Sequence, residues 1–220
     1  MKKILLITLV AAFVLSSCKE ESLGVSFVVT YPIMTLTGDE ALTIPLGGTY
    51  VEKGCVVKEG TTDLSSLVKI SGTVNSAVAG VYTINYTYKN AGKIYPQDSL
   101  TLTATRFVGV ITPAASAMDI SGQYQRNAGA LGVATIAKTA YPGLYINDNP
   151  GGIAMTGSNQ IFFYMFQTDA TVLKVPVQNT AIGTMSCTGG VYDATGAKPL
   201  YKWVVVNSGY GTAVRTFIKL

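Results

Sequence analysis

Side chains that carry most enzymatic chemistry are sparse in this chain. None of its 220 residues is histidine, which removes Ser-His-Asp and Cys-His nucleophilic systems, histidine-ligated zinc and the commonest general base. From residue 119 onward the acids are Asp119, Asp148, Asp169 and Asp193, with no glutamate. Glycosidases need two carboxylates roughly 5–10 Å apart. These four instead fall singly: Asp119 at a segment junction, Asp148 and Asp193 in turn sequences, Asp169 at the end of a strand pattern. Strand punctuation accounts for them, so an enzyme is not expected. Phosphate loops are absent, and no cofactor is implied. "NDNPGG" (147–152) gathers Asn and Asp oxygens beside glycines, as calcium loops do. It lacks the acidic residue that completes such loops, and its residue types are the commonest turn formers, so no metal site is expected.

Aromatic side chains are the better candidates. Tyr141, Tyr145, Tyr192, Tyr201, Trp203 and Tyr210 fall near turns or strand ends in the second half of the chain. Aromatic faces stack on the apolar side of sugar rings while their polar edges reach hydroxyls, but the same residues fill β cores. "LYKWVVV" puts Tyr201, Trp203 and Val205 on one face of a strand. The reading favours a core place for Trp203; exposed, it would be the first residue to mutate. Trp203, Tyr201, Tyr145 and Tyr141 are therefore the candidate glycan-binding residues.

The elements that must position them are strands. Thr, Val, Gly and Tyr are abundant and charged residues are few, a composition suited to antiparallel sheets. "AGVYTINYTYKNAG" alternates strictly, with Tyr82, Ile84, Tyr86 and Tyr88 on one face and Thr83, Asn85, Thr87 and Lys89 on the other. A turn at 90–92 leads to "SLTLTATRF". Earlier, "ALTIPLGGTYVEKG" reads as a strand, a Gly47-Gly48 turn and an extended piece, with Pro45 fitting an edge strand. Gly80-Val81-Tyr82-Thr83-Ile84 resembles the tyrosine corner of Ig-type sandwiches, with Ile84 at the place of an antibody domain's second cysteine. "LTGDEALTIPLGGTYVEKGCVV" and "DLSSLVKISGTVNSAVAGVYTINYTYKNAG" together resemble the bacterial Ig-like domain of surface proteins. Two departures are Lys53 in place of the usual Pro and Cys55 at a small apolar position.

Residues 32–108 are thus expected to form an Ig-like sandwich, and "GVITPAASAMD" (109–118 with Asp119 following) a short, stiff linker. Residues 119–220 are expected to form a second antiparallel β domain, barrel or sandwich, from about eight strand candidates that leave few free edges. Strands over 133–138 and 144–147 flank a Tyr141-Pro142-Gly143 turn. "NQIFFYMFQTD" is apolar on both faces, so it is either central or half-covered from outside. The order of segments here resembles, more loosely, the C-terminal domain that follows an Ig-like module in some Bacteroidetes lipoproteins of glycan-uptake loci. Cys55 and Cys187 fall one in each domain and read as small buried thiols.

The address lies at the start. Lys2 and Lys3 precede an apolar run over 4–15, too short to span a bilayer comfortably. Leu15-Ser16-Ser17-Cys18 resembles a bacterial lipobox, which implies a signal peptide over 1–17, an acylated Cys18 and a lipidated tether over 18–31. Lys19, Glu20 and Glu21 resemble the export signal of Bacteroidetes lipoproteins to the outer face of the outer membrane; the periplasmic face is the alternative. Without the leader the net charge falls from +4 to about +2, too weak for a nucleic-acid footprint.

The expected partners are therefore the outer membrane through a lipid, a polysaccharide and an outer-membrane transporter complex, with no nucleic acid. The sequence supports an all-β, non-catalytic surface lipoprotein whose Ig-like domain is a spacer and whose C-terminal domain binds a glycan for uptake. A structural or protein-interaction lipoprotein is the rival reading, and an enzyme with ungrouped carboxylates a third. Cys18→Ser is expected to abolish incorporation of labelled palmitate in a Gram-negative host; a variant that stays labelled would exclude lipidation at this residue.

Overall fold

The computed structural model describes residues 30–90, 99–129, 131–154 and 160–220. Cys18, Lys19, Glu20 and Glu21 lie outside the described residues. Residues 32–220 fold as one compact unit made of a two-sheet sandwich followed by a closed barrel. No helix among the described residues is long and apolar enough to cross a membrane.

The sandwich contains β1 (Ile33–Leu36), β2 (Ala41–Pro45), β3 (Cys55–Glu59), β4 (Thr62–Asp63), β5 (Lys69–Ser71), β6 (Gly80–Asn90) and β7 (Leu100–Ile111). One sheet has the order β1-β3-β4, the other β2-β7-β6-β5. As the alternation predicts, Ile84, Tyr86 and Tyr88 are buried, while Asn85 and Lys89 face solvent. The expected tyrosine corner forms, with the Tyr82 hydroxyl donating to the carbonyl of Val78 at 2.9 Å. Pro45 ends β2, an edge strand that runs parallel to β7, where its missing N–H costs no ladder bond.

A buried ion cluster ties this sandwich together. The Arg106 guanidinium, on the inner face of β7, is buried. It contacts the carboxylate of Glu52 and donates to Thr37 O at 2.6 Å, Asp39 O at 3.0 Å and Tyr86 Oη at 2.8 Å. Glu52 also accepts from the hydroxyls of Tyr50 and Tyr86 and from Gly54 N–H. The family-like "GTYVEKG" motif therefore supplies Tyr50, Glu52 and Gly54 to one network, which clamps two extended loops to β6 and β7.

The barrel is an up-and-down meander of eight antiparallel strands, which removes every sheet edge. These are β8 (Gly122–Arg126), β9 (Val133–Lys138), β10 (Leu144–Asn147), β11 (Phe163–Asp169), β12 (Val172–Thr180), β13 (Gly183–Asp193), β14 (Leu200–Val206) and β15 (Arg215–Lys219). β15 closes on β8 through Phe217 opposite Arg126 and Ile218 opposite Gln125. The barrel is the realised one of the two architectures left open by the sequence. Along β8 and β14 the apolar positions point inward and Gln123, Gln125 and Lys202 outward, the reverse of a membrane barrel with a polar lumen.

Aromatic rings fill the lumen. Tyr201 and Phe217 stack with centroids 4.6 Å apart and planes 10° apart, and Trp203 packs on Tyr201 at 4.7 Å. Tyr124 meets Tyr201 edge-on at 5.0 Å. Burying each such ring contributes roughly 1.5–3 kcal/mol, so the lumen is a core and not a cavity. Cys187 lies within it, where burial pushes its thiol up, whereas Cys55 is half-buried at the start of β3.

The segment 109–118 departs from the linker expectation. Gly109, Val110 and Ile111 are the buried end of β7. Residues after them form a single helical turn, α1 (Pro113–Ser116), with Pro at its start and the Thr112 hydroxyl accepting from Ala115 N–H. Thr112 is also fixed to the barrel, through its N–H to Thr168 O at 3.0 Å and its hydroxyl to Asp169 Oδ1 at 2.8 Å.

For Glu52, burial pushes the carboxyl up. Hydrogen bonds from Tyr50, Tyr86 and Gly54 and the charge of Arg106 outweigh this and hold it below the usual range. A depressed carboxyl contributes stability that is present at neutral pH and is lost as pH falls through the folded-state value. Glu52→Gln leaves Arg106 buried without its counter-charge and is expected to lower stability by about 3 kcal/mol. Urea unfolding from pH 7 to pH 3 checks this: the variant should be weaker at pH 7 and lose less on acidification than the parent.

Candidate functional site

Sandwich and barrel meet along a face that the strand patterns explain. From Arg106 to Ile111 both faces of β7 are buried: Arg106, Val108 and Val110 turn toward the sandwich core, and Phe107, Gly109 and Ile111 toward the barrel. Ala41 and Phe107 pack there with Leu144 and Phe166, flanked by Val81, Tyr141 and Tyr164. Phe166 is thus an outward barrel residue covered by the sandwich. This resolves why "NQIFFYMFQTD" is apolar on both faces: Phe163 and Met165 fill the lumen, while Phe166 fills the junction. Gly109 permits the approach, since a Cβ there would lie 2.5 Å from the Phe166 ring. Polar contacts border the patch, with Thr43 Oγ1 donating to Pro142 O at 2.7 Å and the Tyr141 hydroxyl to the carboxylate of Asp39.

Beside this junction a groove of about 1110 Å³ separates the β6–β7 face from the β11–β12 wall. Tyr82, Asn85 and Thr105 line its sandwich side, and Phe162, Tyr164 and Gln178 its barrel side. Phe162 is 62% exposed, an uncovered ring at the groove. Phe107 and Tyr164 meet at its base with centroids 6.4 Å apart. Burial and the neighbouring Glu40 carboxylate push the Tyr164 phenol up, so it acts as a neutral donor and acceptor.

A break in the barrel wall deepens the groove. β11 and β12 pair from Asp169–Val172 to Phe166–Lys174, and β12 then shifts register between Val175 and Gln178. Pro176 falls in that stretch and cannot donate to a neighbouring strand. The Gln178 carboxamide substitutes for the missing ladder, accepting from Tyr164 N–H at 2.8 Å and donating to Tyr164 O at 2.9 Å. Through this gap the groove reaches Phe163, Val175 and Cys187 of the barrel interior. Its described lining carries one carboxylate, Glu40, and one ammonium, Lys174, with no second carboxylate opposite Glu40.

The sequence-derived candidates fall elsewhere. Tyr145, Tyr201 and Trp203 are in the lumen and present no ring to solvent. Trp203 Nε1 donates to Pro150 O at 2.9 Å, Tyr201 Oη accepts from Asn147 Nδ2 at 3.3 Å, and Tyr145 Oη donates to Met118 O at 3.2 Å. Each polar edge is thus spent on closing the barrel ends. Tyr141 is at the junction, as a brace between the domains. The "NDNPGG" side chains are spent on hydrogen bonds to their own turn and to neighbouring strands. Asn147 Oδ1 accepts from Asn149 N, Asp148 Oδ1 from Thr135 N, and Asn149 bridges Val133 and Ile153. Among the described residues no group of three or more acids or cysteines comes together that could hold a metal. Phe162, Tyr164 and Gln178 were not singled out from the sequence. The signal for them was present: an apolar pair of faces longer than one core explains, followed by a proline within a strand pattern.

Residues 34–110 match the model of the Ig-like domain of bacterial surface proteins. No curated protein matches. Among solved structures, the lipoprotein BT2262 from Bacteroides thetaiotaomicron is similar at 22% identity and a TM-score of 0.38, over 86% of this chain and 100% of its own. The M60 catalytic domain with two CBM51 domains from Clostridium perfringens ZmpB aligns at 14% identity and a TM-score of 0.31, over 87% of this chain and 23% of its own.

Gly109→Val is expected to force Phe166 off β7, at a cost of roughly 1–3 kcal/mol for overpacking. Differential scanning calorimetry should then resolve two transitions where the parent gives one; a single unshifted transition would show that this contact does not couple the domains.

Proposed function

We propose that this protein is a non-catalytic, lipid-tethered component of the bacterial cell surface that holds a glycan in the groove between its Ig-like sheet and barrel wall. The observation that carries the reading is the groove itself. Its volume of about 1110 Å³ lies at the upper end of what ligand pockets span. Its lining combines an uncovered ring, Phe162, with the amide of Asn85 and the hydroxyl of Thr105, the pairing of apolar face and polar edge that a sugar needs. The surface-protein character of the Ig-like domain and the lipobox-like stretch at Cys18 support the cell-envelope address. The Ig-like domain then serves both as spacer from the membrane and as one wall of the site, and delivery to a neighbouring outer-membrane transporter is the role that fits such a protein.

A second reading draws on Phe162 and Val177, which are 62% and 65% exposed at the same groove and would suit an apolar anchor from a protein partner. Glycan-array and affinity-gel screens of the purified chain separate the two. Retention of a polysaccharide, weakened roughly tenfold (about 1.4 kcal/mol) by Phe162→Ala with stability unchanged, is the expected result. Binding to no glycan, with Phe162→Ala releasing an envelope protein from a pull-down, would replace the glycan reading by the partner reading.

A further inference from the structure

At the end of the barrel where β8 finishes and β15 begins, two guanidiniums face inward with no carboxylate of the described residues beside them. Arg126 stands opposite Phe217, and Arg215 opposite Trp203. Both follow the inward parity of Tyr124 and Phe217. Arg215 is only 8% exposed. The Tyr210 ring lies 5.1 Å from its guanidinium carbon, and the loop at Gly151 passes so close that a Cβ there would overlap that ring.

Hydrogen bonding uses only part of each fork. Arg215 Nη1 donates to Gly211 O at 3.3 Å and Ala213 O at 3.1 Å, whereas its Nε–H is buried with no partner. Arg126 Nη1 donates to Gly151 O at 3.2 Å. The Nε side of Arg215 is the edge that grips a planar carboxylate, or two oxygens of a tetrahedral anion, with parallel N–H donors. A buried donor left unmade costs about 1–3 kcal/mol, and a buried charge without a counter-charge costs more.

The chain supplies no counter-charge from its own second half. Asp119 pairs with Lys138, Asp148 caps Thr135, Asp169 accepts from Thr112, and Asp193 accepts from Thr195. These are all the acidic side chains from residue 119 onward, so the residues outside the described set in this region add no other. Burial and the like charge of Arg126 both lower the proton affinity of Arg215, in keeping with their places on one inward face of adjacent strands.

We infer that Arg126 and Arg215 form an oxyanion site in the barrel end, taking a carboxylate, sulfate or phosphate group that bridges the two guanidiniums. The group has two sources: an anionic sugar, or a free inorganic ion. This site does not depend on the groove and would stand if the groove bound nothing.

Calorimetric titration of the full chain at constant ionic strength tests it, with sodium sulfate, sodium phosphate and galacturonate oligomers as probes and neutral galactose oligomers as the control. Saturable one-to-one binding of an anionic probe is expected, with a rise in thermal midpoint and no response to the control. Preference for galacturonate assigns the sugar source, and a response to sulfate or phosphate alone assigns the free ion. Arg126→Gln, at a half-buried position, should fold and weaken binding at least roughly tenfold, with the ligand-free midpoint unchanged or raised by relief of like-charge repulsion. Arg215→Lys should weaken it comparably, because an ammonium cannot form the fork. No saturable response to any anionic probe, or undiminished binding in Arg126→Gln, overturns the inference.

Discussion

Phe166 resting on the backbone of Gly109 is the contact on which the rest of this molecule turns. It makes one strand, β7, a wall of two cores at once, with Arg106 and Val108 serving the sandwich and Phe107 and Gly109 the junction. An Ig-like module that only spaced another domain from a membrane would keep its outer face polar. Here that face is apolar, small at one position and covered. The groove exists because the two bodies touch at that patch and diverge beyond it, so the angle between β6–β7 and β11–β12 is held by packing and not by a flexible connection.

The two bodies fill their interiors by different means. The sandwich places a guanidinium and a carboxylate inside and satisfies nearly every polar atom with tyrosine hydroxyls and loop carbonyls. Breaking one partner of such a network is expensive, because the other is left charged in a poor solvent for charge. The barrel uses stacked rings, which lose little if neighbours shift slightly but cannot tolerate an unfilled volume. The aromatic wealth of the second half, which first suggests ligand binding, is mostly consumed by this lumen. Eight strands enclose a space just wide enough for side chains to fill, and Tyr, Trp and Phe are the side chains that fill it.

Much of the fold was legible, for identifiable reasons. Strict alternation in β6 placed Ile84, Tyr86 and Tyr88 inside, and the spacing of Tyr82 from its upstream turn produced the tyrosine corner. The hairpin around Tyr141-Pro142-Gly143 came out with the expected strand limits, because turn chemistry is local. Gly109 to Ile111 read as linker because a strand covered on both faces loses its period of two, and a glycine chosen for close approach looks like one chosen for flexibility. Trp203 took the core place that the reading favoured, and Tyr145 and Tyr201 joined it there. Burial of Tyr201 and Trp203 is set by the closure of β15 on β8, a contact between distant segments that no window of sequence displays. The exposure of Phe162 likewise depends on where another domain stops covering its strand.

That closure also has a consequence in time. β15 seals the barrel against β8, roughly ninety residues earlier in the chain, so the lumen cannot form until β15 has emerged. The sandwich, complete at β7, can assemble well before that. Until the barrel arrives, the outward face of β7 must display Phe107 beside bare backbone, an apolar surface awaiting a mate. The early-folding domain thus offers a template on which the late one docks, and the interval between them is when the nascent chain is most exposed to pairing with the wrong neighbour.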